Sequence, residues 1–332
     1  MRRPIMPLND LLATVKQHPG IQQKTAIQTA GRILAQGFAC CDYPNGDDAA
    51  VIKTASGYEL LATEGFMPQF VHTDPWFAGW CGLMVNISDI AAMGGSAVAV
   101  VNSIWGKRDD RSRQVLQGMV DASHVFRVPI VGGHTNLAGE QTQLAVSILG
   151  RANRILSSFT ARAGQQLVVA IDLRGEYRQP FLNWNAATTA PPERLRGDLS
   201  LLPYIAENNL ATAAKDISQA GILGTCVMLL ESSGVGASIR LQDIPKPAAV
   251  EWQDWLCSFP SFGYILATDS VKLPALLKLF ADRDISAAHI GNISHDKTFK
   301  VSHGGRTEIF WNIGSEVLTG MSARMNLNEK IC

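Results

Sequence analysis

Val85-Asn86-Ile87-Ser88-Asp89-Ile90-Ala91-Ala92-Met93-Gly94-Gly95 is the stretch on which the architecture turns. Just upstream, Thr73 or Asp74 is placed to cap a helix with Pro75 near its first position. Trp80, Met84 and Ile87 continue that helix to Met93, where Gly94-Gly95 stops it. On this helix Asn86 and Asp89 stand three residues apart and project from one face. The rest of the segment is apolar or small, so an ionised carboxylate within it is costly unless something compensates. A divalent cation does so, and Mg²⁺ favours carboxylate, amide and water oxygens. The alternative reading of Asp89 is a helix-end carboxylate satisfied by neighbouring backbone groups.

Working outward, Ala49 to Lys53 and Tyr58 to Thr63 are strand-like and flank a hairpin turn at Ser56-Gly57. Ala97 to Trp105 is an apolar run of strand length, and a helix begins at Asp109-Asp110 and ends near Phe126. Val128 to Val131 forms a short buried strand that leads into Gly132-Gly133-His134-Thr135-Asn136, and Leu144 to Leu149 is a further strand. At the N-terminus, Asn9 or Asp10 caps a short helix with an apolar side of Leu8, Leu11, Leu12 and Val15, and a second helix covers Thr25 to Gln36. The pattern weakens between Arg151 and Thr160, which places a domain boundary there and gives two domains, 1–154 and 155–332. The second alternates strands and helices from Leu167 onward, with Ala190 to Asp198 expected as a Pro-, Gly- and Arg-rich surface loop. Both halves are mixed α/β.

The chain has 332 residues, 46% hydrophobic and 17% charged, which suits a folded protein of two ordinary domains. Lys+Arg and Asp+Glu both number 29, so no basic balance points to nucleic acid as a partner. The opening MRRPIMPLND lacks the apolar run of a secretory signal, and no stretch approaches the roughly 18 consecutive apolar residues of a membrane span. A soluble, cytoplasmic protein with no membrane or nucleic-acid partner is the expectation. The six cysteines show no C-x-x-C spacing and read as small hydrophobes, most of them buried, with a structural role for Cys40 and Cys41.

Other oxygen donors lie outside the helix. Gly46-Asp47-Asp48-Ala49-Ala50 sets two carboxylates at the mouth of a strand, and since adjacent strand side chains point to opposite sides, Asp48 is the one directed into a site. The alternative for the pair is turn capping. Glu64, after the strand ending at Thr63, is a third donor. Gly132-Gly133-His134-Thr135 lets backbone approach a ligand and offers amide donors to phosphate, without being a Walker P-loop. Lys215-Asp216-Ile217-Ser218-Gln219 places another carboxylate and a hydroxyl just before a helix, where an N-cap role is the alternative for Asp216 or Ser218.

In this order the motifs (Gly46 to Val51, Thr63-Glu64, Asn86 to Gly95, Gly132 to Thr135 and Asp216 to Ser218) resemble the AIR synthase-related superfamily, and the likeness spans about residues 45 to 295. The resemblance implies a PurM-like α/β (mixed α+β) fold of two domains. The N-terminal sheet domain forms a homodimer, the C-terminal domain is a layered α/β domain, and ATP and Mg²⁺ are the cofactors. It implies Asp48, Glu64, Asp89 and Asp216 as metal ligands. Asp47, Thr63, Asn86, Gly132, Gly133, His134, Thr135 and Ser218 fall near nucleotide or metal. The activity implied is ATP-dependent phosphotransfer or synthesis on an unidentified small-molecule substrate, in which positioning and charge neutralisation do most of the catalysis. The alternatives are a non-catalytic nucleotide-binding subunit, thiamine-monophosphate kinase, or AIR synthase itself.

The wording is nearest to thiamine-monophosphate kinase, with three departures. Glu64 stands for aspartate and is followed by an unfamiliar segment over 65–72, His134 stands for aspartate, and Gln219 replaces the second aspartate of Asp-Ile-Ser-Asp.

Overall fold

Apolar periodicity of two different kinds, strand and helix, builds two units of unequal size. A computed structural model describes residues 6–34, 36, 37 and 43–321. Cys40, Cys41 and Cys332 lie outside the described residues, while Cys81, Cys226 and Cys257 are buried thiols rather than disulfide partners. The smaller unit comprises Asp48–Ile155 and Ala190–Glu207, and the larger comprises Met1–Asp47, Leu156–Thr189 and Asn208–Cys332. The chain is therefore divided more than once, whereas the sequence pattern suggests a single division after residue 154.

The reason lies in the N-terminal helices α1 (Leu8–Lys16), α2 (Pro19–Gln22) and α3 (Ala26–Leu34). The apolar stripe Leu8, Leu11, Leu12 and Val15 of α1 joins the core of the larger unit. The N-cap of α1 is Pro7, and Asn9 and Asp10 are exposed within the first turn, so neither caps it.

The smaller unit is a five-stranded sheet of β1 (Ala50–Thr54), β2 (Gly57–Phe66), β3 (Ser96–Lys107), β4 (Ile130–Asn136) and β5 (Ala138–Ala152), in the order β1-β2-β5-β3-β4. All neighbours are antiparallel except β3 and β4. Its helices are α4 (Pro68–Thr73), α5 (Pro75–Ala92), α6 (Asp110–Phe126), α7 (Pro192–Leu199) and α8 (Leu201–Glu207). Asp74 caps α5 by accepting from the Phe77 N–H at 3.3 Å, and Pro75 opens the helix. Gly79 and Gly118 let α5 and α6 touch backbone to backbone, because a Cβ at either would collide with a carbonyl of the other helix. So enclosed, α5 buries residues on every side, Asn86 and Asp89 among them.

Two stretches differ from expectation. Gly132 to Asn136 is not a loop after a strand but part of β4 itself, paired with β3 from Val101↔Gly132 to Trp105↔Asn136. A Cβ at Gly133 would strike the Asn102 carbonyl, so the close pairing needs glycine there. Ala190 to Asp198 is not a loop either, because Pro192 starts α7, Leu195 and Asp198 are buried, and Arg196 donates to the Val125 carbonyl at 2.5 Å. A proline in the first turn lacks only an N–H that the helix would not use.

The larger unit holds β6 (Gln166–Ile171), β7 (Glu176–Tyr177), β8 (Asn183–Asn185), β9 (Ala213–Asp216), β10 (Gly236–Arg240), β11 (Phe259–Pro260), β12 (Gly263–Thr268), β13 (Ser286–Ser294), β14 (Thr298–His303) and β15 (Arg306–Asn312). They form a seven-stranded sheet, β15-β14-β10-β13-β6-β12-β9, and a small one, β11-β8-β7. Helices α9 (Gly221–Ser233), α10 (Trp252–Leu256) and α11 (Leu273–Ala281) complete it. Like α5, α9 is buried nearly all round. It leaves the loop after β9, and that is how the Asp216 segment is held.

Candidate metal centre

In the smaller unit, Asp48 sits just ahead of β1 and Asp89 on the last turn of α5. Asp48 is half-buried, Asp89 is 5% exposed, and one carboxylate oxygen of each lies within 4.8 Å of the other. Two like charges at that spacing repel by about 3–4 kcal/mol at an effective dielectric near 20. Folding brings together what electrostatics would separate, and a divalent cation reverses the sign of the interaction.

The helix supplies a second oxygen. Asn86 is fully buried, and its Nδ2 donates to the Gly82 carbonyl at 2.8 Å. That bond turns Oδ1 the other way, where it has no hydrogen-bond partner among the described residues. A buried amide oxygen left this way is unfavourable unless a donor or cation meets it. Two carboxylates and an amide oxygen are a hard, all-oxygen donor set, which fits Mg²⁺ better than a thiolate- or imidazole-seeking metal.

Other expected residues fall elsewhere. Thr63 and Glu64 point to opposite faces of β2, and Glu64 shares the helix-facing side with buried Leu60 and Ala62. The exposed Thr63 hydroxyl donates to the Val146 carbonyl at 3.2 Å and accepts from the Ser147 hydroxyl at 2.9 Å, tying β2 to β5. Gly132, Gly133, His134 and Thr135 are exposed on β4, an edge strand whose alternate N–H groups point away from β3. The His134 ring lies 6.4 Å from that of Trp105.

In the larger unit, Asp47 accepts from the Ser157 hydroxyl at 2.7 Å and the Ser158 N–H at 3.0 Å, so its carboxylate anchors a loop. Asp216 ends β9 and is 7% exposed. The N-cap of α9 is Ala220, with no side-chain cap bond, so neither Asp216 nor Ser218 is the cap. Among the described residues the buried Ser218 hydroxyl has no hydrogen-bond partner, so it completes no turn. Sequence reasoning passed over Lys215, buried beside Asp216. The signal is the pair Lys215-Asp216 directly after Ala213-Ala214, two opposite charges within a four-residue strand that is buried throughout.

Burial pushes the Cys226 thiol up, and it pushes Cys257 up to about 11 with help from the Asp254 charge. Neither is a thiolate nucleophile.

The chain matches the family models described as "AIR synthase related protein, N-terminal domain" over residues 46–152 and "AIR synthase related protein, C-terminal domain" over 183–304. It is 41% identical to an uncharacterized protein of Synechocystis over 322 residues, covering 95% of this chain and 99% of that one. It is 27% identical to the thiamine-monophosphate kinase of Synechococcus elongatus, covering 83% and 91%. Among solved structures it resembles AaThiL complexed with AMPPCP and TMP, at 18% identity and TM-score 0.64 over 93% of this chain and all of that one. It also resembles Thermotoga maritima PurL complexed with ADP, at 17% identity and TM-score 0.71 over 90% of this chain, while spanning about half (52%) of PurL.

Proposed function

Since the chain belongs to the AIR synthase related family, matched in both its N-terminal and C-terminal domains, we propose that it is an Mg²⁺-dependent, ATP-using enzyme acting on a small metabolite, as a phosphotransferase or an ATP-dependent synthetase. The observation that carries this reading is the approach of the Asp48 and Asp89 carboxylates to within 4.8 Å. Asp48 and Asp89 hold the metal, Asn86 Oδ1 completes that side, and Glu64 and Asp216 are the further ligands. Edge-strand N–H groups of Gly132 to Thr135, together with His134 and Ser218, attend the nucleotide, while Asp47 and Thr63 brace the backbone around the site. A bound Mg²⁺ supplies neutralisation of phosphate charge, and the side chains orient the reactants. The named relatives support the class: one is a kinase, and the solved neighbours were determined with AMPPCP or ADP.

We place the protein in the cytoplasm as a homodimer. No helix among the described residues is long and apolar enough to cross a membrane. The sheet of the smaller unit carries its helices on one face and leaves Ile52, Leu61, Val101 and Trp105 between 38% and 48% exposed, an apolar surface suited to a second copy.

The second reading, a nucleotide-binding subunit without turnover, draws on His134 and Gln219 standing where kinase-type motifs carry acids. Calorimetric titration of ATP with and without Mg²⁺, followed by ADP release over a metabolite panel, separates the two. Mg²⁺-dependent binding with turnover on one substrate supports the enzyme; binding with no turnover on any supports the subunit; no Mg²⁺-dependent binding removes both.

A further inference from the structure

Glu231 lies on the last turn of α9 and is 8% exposed. A carboxylate there faces the negative end of the helix dipole, an unfavourable place for it. It is enclosed by donors from one short segment. Its Oε1 accepts from the N–H of Leu318 at 2.8 Å and of Gly320 at 3.4 Å, and its Oε2 accepts from the Thr319 N–H at 2.8 Å and hydroxyl at 2.6 Å. Successive backbone donors around an anion are a strong local fixation. Upstream, the Trp311 indole donates to the Glu316 carbonyl at 3.1 Å, and Glu316 accepts from the Asn312 N–H at 3.2 Å. Residues 312–320 are thus folded back from β15 onto α9.

Met321 follows, and its side chain lies against Gly46. A Cβ added at Gly46 would stand 2.5 Å from Met321 Cγ and 2.7 Å from Sδ, and Gly46 has φ +109°, in the region that favours glycine. Two residues beyond Glu231, the Ser233 hydroxyl donates to the Ser158 carbonyl at 2.6 Å and accepts from the Ala161 N–H at 3.0 Å. Ser157 and Ser158 in turn hold Asp47. One helix end therefore secures Gly46 through one arm and Asp47 through the other, and the next residue is Asp48.

We propose that Glu231 is a positioning residue for the metal site: by clamping residues 318–320 it seats Met321 on Gly46 and fixes the backbone that presents Asp48. The proposal rests on the metal-site reading above. Partners that orient a ligand from behind are worth about 10- to 100-fold in metal affinity.

The test uses the full chain, with Mn²⁺ as the probe and its free concentration read by electron paramagnetic resonance. E231Q should bind Mn²⁺ about tenfold more weakly than wild type, and M321A, which removes the contact while keeping the clamp, severalfold more weakly. Far-UV circular dichroism should be unchanged in both. If ATP turnover is found, its Mg²⁺ requirement should rise while the rate at saturating Mg²⁺ holds, a split that general destabilisation would not produce. Should E231Q fail to fold, M321A decides. Folded variants that bind Mn²⁺ as wild type does would overturn this proposal alone, whereas a wild type that binds none would overturn the metal-site reading beneath it.

Discussion

Helices α5 and α9 are near twins in burial, and each carries an acid that is less than 9% exposed, Asp89 and Glu231. Their neighbours differ. Glu231 is met by three backbone N–H groups and a hydroxyl, so its charge is answered by the polypeptide itself. Asp89 has another carboxylate oxygen within 4.8 Å. Burial alone does not mark a functional acid. What differs is what stands beside each: four donors close on Glu231, and a second carboxylate stands near Asp89, where a cation would offset the like charge.

Neutralising each acid in turn is the most direct way to break this contrast. D89N should lower Mg²⁺-dependent ATP turnover by about 100-fold or more, beyond the loss of an orienting partner. Without metal, the same change relieves repulsion and should leave urea stability unchanged or raise it by about 1–2 kcal/mol. E231A should do the reverse, costing about 3 kcal/mol because the donors of residues 318–320 lose their acceptor. If D89N destabilises the metal-free protein as E231A does, the two acids are alike and the contrast fails.

Metal itself sharpens the comparison at intermediate size. At 100 times its dissociation constant, Mg²⁺ should add about 2.7 kcal/mol to the stability of wild type and nothing to D89N. A thermal-shift series in Mg²⁺ reads this, and equal shifts in both proteins would place the ion elsewhere.

The smaller unit's two sheet faces offer a third check. L61K puts a charge on the open face, where Leu61 is 48% exposed, and should convert the proposed dimer to monomer by sedimentation while helix content holds. The smallest effect expected is at Asp109, whose carboxyl the Ser112 N–H holds below the usual range. A depressed acid lends stability above its unfolded pKa and loses it as pH falls through its folded value, so D109N should flatten the acid limb of a pH–stability curve slightly. An unchanged limb would mean that the cap contributes nothing.

Much of the smaller unit is legible from local chemistry. Asp74-Pro75 and Gly94-Gly95 bracket α5, and a tight turn at Ala55-Ser56, one residue ahead of the expected Ser56-Gly57, carries β1 into β2, because caps and turns are decided within a few residues. The misreadings share a cause. Pro191-Pro192 reads as loop until Leu195 is seen to be buried, and Gly132-Gly133 reads as a turn until β3 is seen alongside, because both depend on neighbours remote in the chain. Glu231 was invisible for the same reason: its partners lie almost ninety residues away.

The sequence by itself determined that both halves are mixed α/β and where α5 and the β1–β2 pair lie, since capping, turns and apolar spacing are properties of short segments. Only the tertiary structure decided that Asp48 and Asp89 meet, that Thr63 turns away to brace a strand, and that Glu231 is enclosed by donors. Those outcomes depend on the distances and dipoles around each charge, which exist only once remote segments have packed.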